Sequence, residues 1–289
     1  MSDENQWFTE SSDETGIGFS LKIRRKLHEE QSAYQKIEIF ETEQWGNLMV
    51  IDDCIMLSSR DNFLYHEMMS HPVLFTHPDP QRVVIIGGGD CGTLREVLRH
   101  STVKQVSQID IDESVTRLAE RYFPELCESN DDPRAELLFI DGINWMQEAE
   151  RGSIDVIIVD STDPIGPGEV LFSEAFYKAC HDALATDGLL VQQSESPLIH
   201  APLLARMATD MQAAGFGAVR TLTFPQPVYP SGWWSATMAA RGDGFPPARY
   251  AAMQALDDTR YFNRAIFDGA FAVPQFLARQ TSEPSSHSG

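Results

Sequence analysis

The sequence predicts an α/β fold in which a small antiparallel β unit precedes a parallel sheet covered by helices. Residues 19 to 59 contain short runs of alternating apolar and polar residues, which is typical of half-buried strands. From residue 82 onward apolar runs alternate with helical segments, and this order indicates a parallel sheet with helices on both faces. Hydrophobic residues make up 42% of the 289 residues, which is enough for a substantial core.

The N-terminal part is expected to form the antiparallel unit. In "FSLKIRRKL" the apolar residues Phe19, Leu21 and Ile23 fall on one face, and "YQKIEIFE" alternates in the same way. The stretch "GNLMVIDDCIMLSS" is predicted to form two short strands around Asp52 and Asp53. We therefore predict an N-terminal β domain from residue 1 to residue 62.

The second domain is expected to cover residues 63–289. It opens with a helix over residues 63 to 75, with a kink or an end near His71 because Pro72 lacks an amide hydrogen. Five strands are predicted to follow, in "RVVIIGGG", "VSQIDID", "AELLFIDG", "DVIIVD" and "GLLVQQS". Two more edge strands are expected in "AVRTLTF" and "WWSATMAA". The polar segment from 276 on should fray, with residues 278–289 as a disordered tail.

The composition narrows the function classes. The chain has 22 Lys and Arg against 43 Asp and Glu, a formal net charge of −21, which disfavours nucleic acid and anionic membranes as partners. A solvated acidic surface suited to a saline habitat would give the same balance. The four cysteines form no CxxC pair, and free thiols are expected in a reducing cytoplasm. No membrane span or signal peptide is expected, so we predict a cytoplasmic protein.

Acidic residues follow the ends of the first four predicted parallel strands. Asp90 lies in the loop after the first strand, Asp110 ends the second, Asp141 follows the third, and Asp160 and Asp163 follow the fourth. Because the carboxyl ends of parallel strands meet at one edge, these side chains should lie close together. Helix capping would explain one such residue. Acidic residues after four successive strands indicate a binding site.

The loop "GGGDCG" matches the dinucleotide-binding pattern GxGxxG through Gly87, Gly89 and Gly92. Asp110 lies near the spacing expected for a ribose-binding acid. However, the carboxylate of Asp90 inside this turn would repel a pyrophosphate. A nucleoside that carries positive charge instead of phosphate fits better, and S-adenosylmethionine and its relatives are such molecules.

The acids can be assigned to parts of this ligand. Asp110 would accept hydrogen bonds from the ribose hydroxyls, Asp141 from the adenine amino group, and Asp90 from an ammonium beyond the sulfur. The carboxylate of S-adenosylmethionine itself would be repelled by Asp90, whereas its decarboxylated form ends in an ammonium. Asp160 and Asp163 then remain available for a second cation.

The chain resembles the spermidine synthases, the polyamine aminopropyltransferases. The matching motifs are "YHEM" (65–68), "GGGD" (87–90), "LREVLRH" (94–100), "DSTDPIGPGE" (160–169), "LFSEAFY" (171–177) and "YPSG" (229–232). The resemblance extends over roughly residues 5 to 277. It implies a Rossmann-like sheet of the S-adenosylmethionine methyltransferase type behind the N-terminal antiparallel β domain. It also implies a homodimer or homotetramer.

The resemblance further implies roles for individual residues. Asp160 would be the catalytic acid–base residue. The amine substrates would be bound by Asp163, Asp90, Tyr65, His66, Tyr229 and Ser161. The nucleoside would be bound by Gln35, Gly87, Gly89, Asp110, Asp141, Gly142 and Pro167. Neither a metal nor a resident cofactor is expected, since decarboxylated S-adenosylmethionine is a co-substrate.

The expected reaction moves the aminopropyl group of that co-substrate to putrescine, giving spermidine and methylthioadenosine. Agmatine, cadaverine or spermidine remain alternative acceptors. A methyltransferase that uses S-adenosylmethionine, an NAD-binding oxidoreductase and a non-enzymatic polyamine-binding protein are further alternatives. The acceptor stays open because the sequence departs from the family pattern at Asp53, Met56 and Ser59, in a region that borders the substrates. Cys91 is a further departure, where the family usually has glycine, and because cysteine is small the turn is expected to survive.

Overall fold

The computed structural model describes residues 6–162 and 166–280, and all structural statements below concern these residues. The strands are β1 Gln6–Ser12, β2 Ile17–Gln31, β3 Lys36–Thr42, β4 Asn47–Ile51, β5 Cys54–Ser58, β6 Arg82–Gly87, β7 Gln105–Asp110, β8 Ala135–Phe139, β9 Ile154–Asp160, β10 Leu184–Gln193, β11 Ala218–Pro225 and β12 Trp233–Ala240. The α-helices are α1 Asn62–Thr76, α2 Gly92–Leu98, α3 Glu113–Tyr122, α4 Gly142–Glu148, α5 Glu174–Ala183, α6 Ala201–Ala213, α7 Tyr250–Met253, α8 Arg264–Ala270 and α9 Gln275–Gln280. Short 3₁₀ segments cover Gly166–Phe172 and Pro230–Gly232.

The N-terminal strands β1 to β5 form an antiparallel sheet in sequence order. The two predicted strands around Asp52 and Asp53 are present as β4 and β5. Both aspartates have positive φ, 48° and 67°, as a two-residue turn between antiparallel strands requires. Strand β1 was not predicted from the sequence. It pairs along the first half of the long strand β2, with Gln6 opposite Ile23.

The second sheet has the order β11-β12-β10-β9-β6-β7-β8. Strands β8, β7, β6, β9 and β10 are parallel, as predicted, whereas β12 runs antiparallel to both β10 and β11. The chain continues from β6 to one side through β7 and β8, then returns to place β9 on the other side of β6. Ligands bind α/β sheets at such a reversal of strand order.

Helices cover both faces of this sheet, as predicted. On β6 the side chains of Val83 and Ile85 belong to a core cluster with residues of α1 and α2. Val84 and Ile86 point to the opposite face and belong to a cluster with residues of α5 and α6. Because both faces are buried, the parallel strands are continuous apolar runs in the sequence.

Helix α1 is buried along almost its whole length. It does not end near His71, since it continues through Pro72 to Thr76, whose hydroxyl donates to the carbonyl of Pro72 at 2.7 Å. The buried carboxylate of Glu67 on this helix accepts hydrogen bonds of 2.7–2.9 Å from the backbone amides of residues 260–262. Glu67 thereby fixes the C-terminal segment to α1.

The C-terminal region contains helix α9, Gln275–Gln280, so the polar segment expected to fray from residue 276 begins as a helix. The remainder of the expected tail, residues 281–289, lies outside the described residues. Among the helices that the structure describes, none combines the length and apolar character needed to cross a bilayer.

Candidate active site

A cavity of about 400 Å³ opens at the carboxyl ends of β6, β7 and β9 and extends to the first sheet. Its lining includes Asp90, Asp110, Asp141 and Asp160, so the structure brings four of the five predicted acids together. Gly87, Gly89, Gly142 and Gln35 line the same cavity. None of the described lining residues is Lys or Arg. Asp163 lies outside the described residues, as does the side chain of Pro167.

Asp160 occupies the end of β9 directly beside Gly87 of β6. The hydroxyl of Tyr65 donates to its Oδ1 at 2.6 Å, and the hydroxyl of Thr93 donates to its Oδ2 at 2.6 Å. Burial raises the pKa of Asp160, and the nearby charge of Asp90 raises it further, while these hydrogen bonds lower it in part. The carboxylate is therefore oriented by two donors and is more basic than an exposed aspartate.

Gly87 permits this arrangement. Its φ is +83°, a conformation that glycine adopts without strain. A Cβ at this position would overlap the backbone carbonyl of Asp160. That carbonyl accepts a hydrogen bond of 2.7 Å from the amide of Gly88, which ties the glycine loop to the end of β9.

Asp90 is held by two donors from its own loop and from α1. The amide of Gly92 donates to its Oδ1 at 2.7 Å, and Nε2 of His66 lies 3.1 Å from its Oδ2. Burial raises the pKa of Asp90, but the charge and the hydrogen bond of His66 outweigh this and lower it. Asp90 therefore presents an ionised carboxylate to the cavity.

Gly92 is required by His66 rather than by a phosphate. A Cβ at position 92 would overlap the imidazole ring of His66, which packs directly on the glycine backbone. The neighbouring Cys91 adopts a left-handed conformation, φ 67°, in a buried position. The turn therefore accommodates a cysteine at this position.

Asp110 ends β7, and its Oδ1 accepts a hydrogen bond of 2.9 Å from the amide of Asp112. Burial, together with the charges of Asp112 and Asp160, raises the pKa of Asp110 to about 6. Gln35, from the segment before β3, donates to Oδ2 of Asp112 at 3.0 Å, as the hydroxyl of Ser32 does at 2.6 Å. Asp112 caps α3, so this contact connects the first sheet to the loop after β7, whose Ile111 lines the cavity.

Asp141 is the N-cap of α4. Its Oδ1 accepts from the amide of Ile143 at 2.8 Å, and its Oδ2 accepts from the side-chain amide of Asn144 at 2.9 Å. Gly142 packs so closely that a Cβ would lie 2.9 Å from Cγ2 of Ile86. Helix capping accounts for the hydrogen bonds of Asp141, and the same position places it on the cavity wall.

A second, smaller cavity of about 40 Å³ adjoins the first. The two cavities share the residues Met56, Tyr65, Ser161, Thr162 and Tyr229. The hydroxyl of Tyr229 donates to the carbonyl of Met56 at 2.5 Å, and its ring meets that of Tyr65 edge-on at 6.0 Å. The hydroxyl oxygen of Ser161 is buried and has no hydrogen-bond partner within residues 6–162 and 166–280.

Sequence reasoning missed several residues of these cavities. Glu10 of β1 lines the smaller cavity, where its Oε2 accepts from the amide of Ile55 at 2.7 Å. Gln193 and Trp234 line it as well, and Thr93 holds Asp160. Glu10 was missed because β1 was not recognised, since its segment "QWFTESS" places two aromatic residues side by side and does not alternate apolar and polar residues. Only the folded chain reveals the contact between Thr93 and Asp160.

This arrangement suits a cationic ligand with an apolar body. The larger cavity combines acids at one edge with apolar walls that include Ile51, Ile109 and Val115. The smaller cavity offers a carboxylate and aromatic rings. Asp160 lies beside Tyr65, which lines both cavities, so a base is available where two ligands could meet.

The chain was compared with known proteins. Residues 62–243 match the family model of the spermine/spermidine synthase domain, and residues 6–59 match that of the spermidine synthase tetramerisation domain. It is similar to the polyamine aminopropyltransferase of Methylococcus capsulatus, 66% identical over 277 residues, which covers 96% of this chain and 97% of the relative. The polyamine aminopropyltransferase of Thioalkalivibrio sulfidiphilus is 59% identical over 284 residues, covering 97% and 99%.

Solved structures give the same result. A spermidine synthase in complex with the transition-state analogue AdoDATO has a TM-score of 0.91 and 33% identity, with 97% of each chain covered. The spermidine synthase from Thermotoga maritima has a TM-score of 0.90 and 33% identity, covering 97% of this chain and 96% of that one.

Proposed function

Because the chain belongs to the spermine/spermidine synthase family, we propose that this enzyme moves the aminopropyl group of decarboxylated S-adenosylmethionine to putrescine. The products are spermidine and methylthioadenosine. The observation that carries the proposal is a cavity lined by five aspartates, four of them at the ends of parallel strands, and, among its described lining residues, by no Lys or Arg. Such a lining favours a cationic nucleoside over a dinucleotide, and it favours the decarboxylated co-substrate over S-adenosylmethionine with its carboxylate.

The co-substrate is proposed to lie along the larger cavity. Its ribose hydroxyls bind Asp110, and its adenine lies near Asp141 and Gly142. Its terminal ammonium binds Asp90. This order follows the sheet edge from β8 through β7 to β6, so the sulfonium and the reactive carbon come close to Asp160 at the end of β9.

The reaction is a displacement at carbon. A primary amine of the acceptor attacks the aminopropyl carbon bonded to sulfur, the C–N bond forms and the C–S bond breaks. Methylthioadenosine leaves as a neutral thioether, so the sulfonium supplies the leaving group and no metal is needed for that purpose. The enzyme's tasks are to align the two molecules and to provide a free amine.

Asp160 is proposed to accept the proton of the attacking amine. An alkylamine has a pKa of about 10.4 in water and arrives charged. The nearby sulfonium and the loss of water lower the pKa of the amine. Burial and Asp90 raise the pKa of Asp160. Both changes reduce the pKa difference between the amine and Asp160. The hydroxyls of Tyr65 and Thr93 donate hydrogen bonds that keep the carboxylate in position.

Putrescine is proposed as the acceptor because the smaller cavity, of about 40 Å³, is lined by the carboxylate of Glu10 and adjoins the larger cavity, which is lined by the carboxylate of Asp160. Asp160 lies at the junction with the larger cavity, and Glu10 lies on the wall formed by β1, fixed by the amide of Ile55. Tyr65 and Tyr229 enclose the apolar chain between them. A slender diamine satisfies both charges. Asp163 is proposed, on the resemblance alone, to bind the attacking amine.

One assay tests the proposal. The purified protein is incubated with decarboxylated S-adenosylmethionine and putrescine, and spermidine and methylthioadenosine are measured by mass spectrometry. We expect both products in equal amounts, and no product when S-adenosylmethionine replaces the decarboxylated form. Comparison of kcat/KM for putrescine, cadaverine, agmatine and spermidine then defines the acceptor. Methyl transfer from S-adenosylmethionine, or no aminopropyl transfer to any amine, would refute the proposal.

The chain is also proposed to act as a homo-oligomer, a homodimer or a homotetramer. The match of residues 6–59 to a tetramerisation domain supports this, and Trp7 on strand β1 is 55% exposed, as an apolar contact residue would be in a single chain. Light scattering after size-exclusion chromatography gives the mass. A monomeric mass at micromolar concentration would refute this proposal without affecting the proposed reaction.

A further inference from the structure

His66 does not contact either cavity. The residue is 1% exposed, and it is absent from the described residues that line the two cavities. The ring instead lies behind Asp90, between the backbone of Gly92 and the ring of Tyr65, which it meets edge-on at 5.6 Å. Its contact with a ligand must therefore pass through Asp90.

Both carboxylate oxygens of Asp90 are contacted by groups of the protein. Gly92 donates to Oδ1 at 2.7 Å, and Nε2 of His66 lies 3.1 Å from Oδ2. We infer that His66 is a positioning residue that carries a proton while the site is empty and releases that proton when the substrate ammonium binds Asp90. This inference rests on the proposed function, because it requires a ligand with an ammonium at Asp90.

The surroundings of His66 favour its charged form in the empty site. The titratable and charged groups around its ring come from four parts of the chain and are Asp61 before α1, Tyr65 on α1, Asp90 and Arg95 at α2, and Asp160 on β9. Burial lowers the pKa of His66, but the charges of Asp90 and Asp160 outweigh burial and Arg95, so the pKa is raised. The imidazolium then acts as an internal counter-ion of Asp90.

The arrival of an ammonium reverses this preference. Two cations would then share the carboxylate of Asp90 in a region with little water, where their repulsion is strong. His66 avoids this repulsion by losing the proton on Nδ1, because the neutral tautomer with hydrogen on Nε2 still donates to Asp90. The carboxylate of Asp90 therefore keeps its position and orientation, while the positive charge of His66 is removed with the proton.

The environment of Nδ1 supports this choice of proton. Nδ1 is buried and has no hydrogen-bond partner in the described part of the chain. In the imidazolium it carries an unpaired buried N–H, which costs more than an unpaired lone pair on the neutral ring. The structure thus tolerates the charged form only while Asp90 has no other cation.

This exchange has a measurable consequence. A ligand with an ammonium displaces protons on binding, so its affinity rises as pH increases through the titration of His66. Methylthioadenosine has the same nucleoside but no ammonium. It makes the same contacts with Asp110, so any proton change at Asp110 is common to both ligands and cancels in the comparison.

The test is isothermal titration calorimetry in buffers of different ionisation enthalpy. Decarboxylated S-adenosylmethionine and methylthioadenosine are each titrated into the wild type and into His66→Gln at neutral pH. The glutamine amide can donate to Asp90 but does not titrate. We expect the wild type to release more protons with the ammonium ligand than with methylthioadenosine, and His66→Gln to lose most of this excess.

A persistent excess in His66→Gln would assign the proton to Asp160 and overturn the inference, as would the absence of any excess in the wild type. Equal weakening of both ligands with unchanged proton release would indicate a purely structural histidine and would also overturn it. Imidazole ¹⁵N spectra of the wild type give a second reading that needs no variant. One histidine should change from the charged to the Nε2-protonated neutral form on binding, and no such change would contradict the inference.

Different results would refute the proposed function and the role of His66. If decarboxylated S-adenosylmethionine does not bind the wild type, or binds without aminopropyl transfer to any amine, the proposed reaction is wrong. If it binds and reacts with no change in proton release between the wild type and His66→Gln, only the role of His66 is wrong.

Discussion

The hydroxyl of Tyr65 lies 2.6 Å from Oδ1 of Asp160, although the two residues are 95 positions apart in the chain. Burial and the charge of Asp160 raise the pKa of Tyr65 well above its usual value, so the phenol keeps its proton and remains a donor. This bond connects α1 with the end of β9 at the junction of the two cavities. It orients the carboxylate that we propose as the base.

Replacement of Asp160 by Asn should remove the base and leave the shape of the site. We expect aminopropyl transfer to fall by about 10²- to 10⁴-fold, the range for a lost general base. Binding of methylthioadenosine should change little, because that ligand carries no amine to deprotonate. Single-turnover rates and calorimetric titration measure the two effects. A rate near that of the wild type would contradict the role of Asp160.

Replacement of Tyr65 by Phe should remove one of the two donors to Asp160. A hydrogen bond to a charged group contributes about 1.5–3 kcal/mol, so kcat/KM should fall by roughly 10- to 100-fold. The hydrogen bond lowers the pKa of Asp160, and its loss should shift the acidic limb of the pH–rate profile to higher pH. Tyr177→Phe is the matched control, since that buried hydroxyl on α5 lies away from both cavities. Equal losses in both variants would count against a specific role.

Replacement of Asp90 by Ala should separate the two nucleoside ligands. Affinity for decarboxylated S-adenosylmethionine should fall by about 10-fold or more, since a charge-assisted contact is lost. Affinity for methylthioadenosine should fall much less. Dissociation constants from calorimetry give both values. If the two ligands weaken by the same factor, Asp90 does not bind the ammonium.

Acid pH should weaken nucleoside binding through Asp110. Its raised pKa of about 6 means that the carboxyl is protonated below that pH and ionised above it. The ionised form accepts hydrogen bonds from both ribose hydroxyls, whereas the protonated form has less acceptor capacity. Affinity for methylthioadenosine should therefore fall as pH decreases from 7 to 5. In Asp110→Asn the affinity should be lower at pH 7 and nearly independent of pH, and an unchanged pH profile would refute the assignment.

Replacement of Glu10 by Gln should weaken the acceptor without affecting the co-substrate. The loss of the distal charge should raise KM for putrescine by about tenfold, while kcat changes little. Glu14→Gln removes an exposed carboxylate from the neighbouring turn and is the control. Steady-state kinetics with varied putrescine provide the test. A similar KM in both variants would remove the main support for a diamine bound between Asp160 and Glu10.

The parallel strands and the four aspartates could be predicted from the sequence because buried parallel strands are uninterrupted apolar runs, and the residues that end them share one edge. Strand β1 could not, since its pairing with β2 forms at the edge of a sheet and leaves most of its side chains exposed. The antiparallel direction of β12 was also not predicted, because apolar strands look alike in either direction.

The supporting contacts of the site were beyond sequence reasoning for a different reason. Thr93 reaches Asp160 across 67 residues, and His66 reaches Asp90 from a helix on the other side of the glycine loop. Such contacts depend on how α1 and α2 pack together. No local pattern records this packing, although the motif "YHEM" marked the helix that carries it.

The packing of His66 on Gly92 makes the two positions an epistatic pair. A larger residue at position 92 requires a smaller residue at position 66. Such a double change would remove the contact between His66 and the carboxylate of Asp90. A pattern search assigns this glycine to nucleotide phosphates, but here a Cβ would overlap the ring of His66. Related sequences should therefore show position 92 varying only together with position 66.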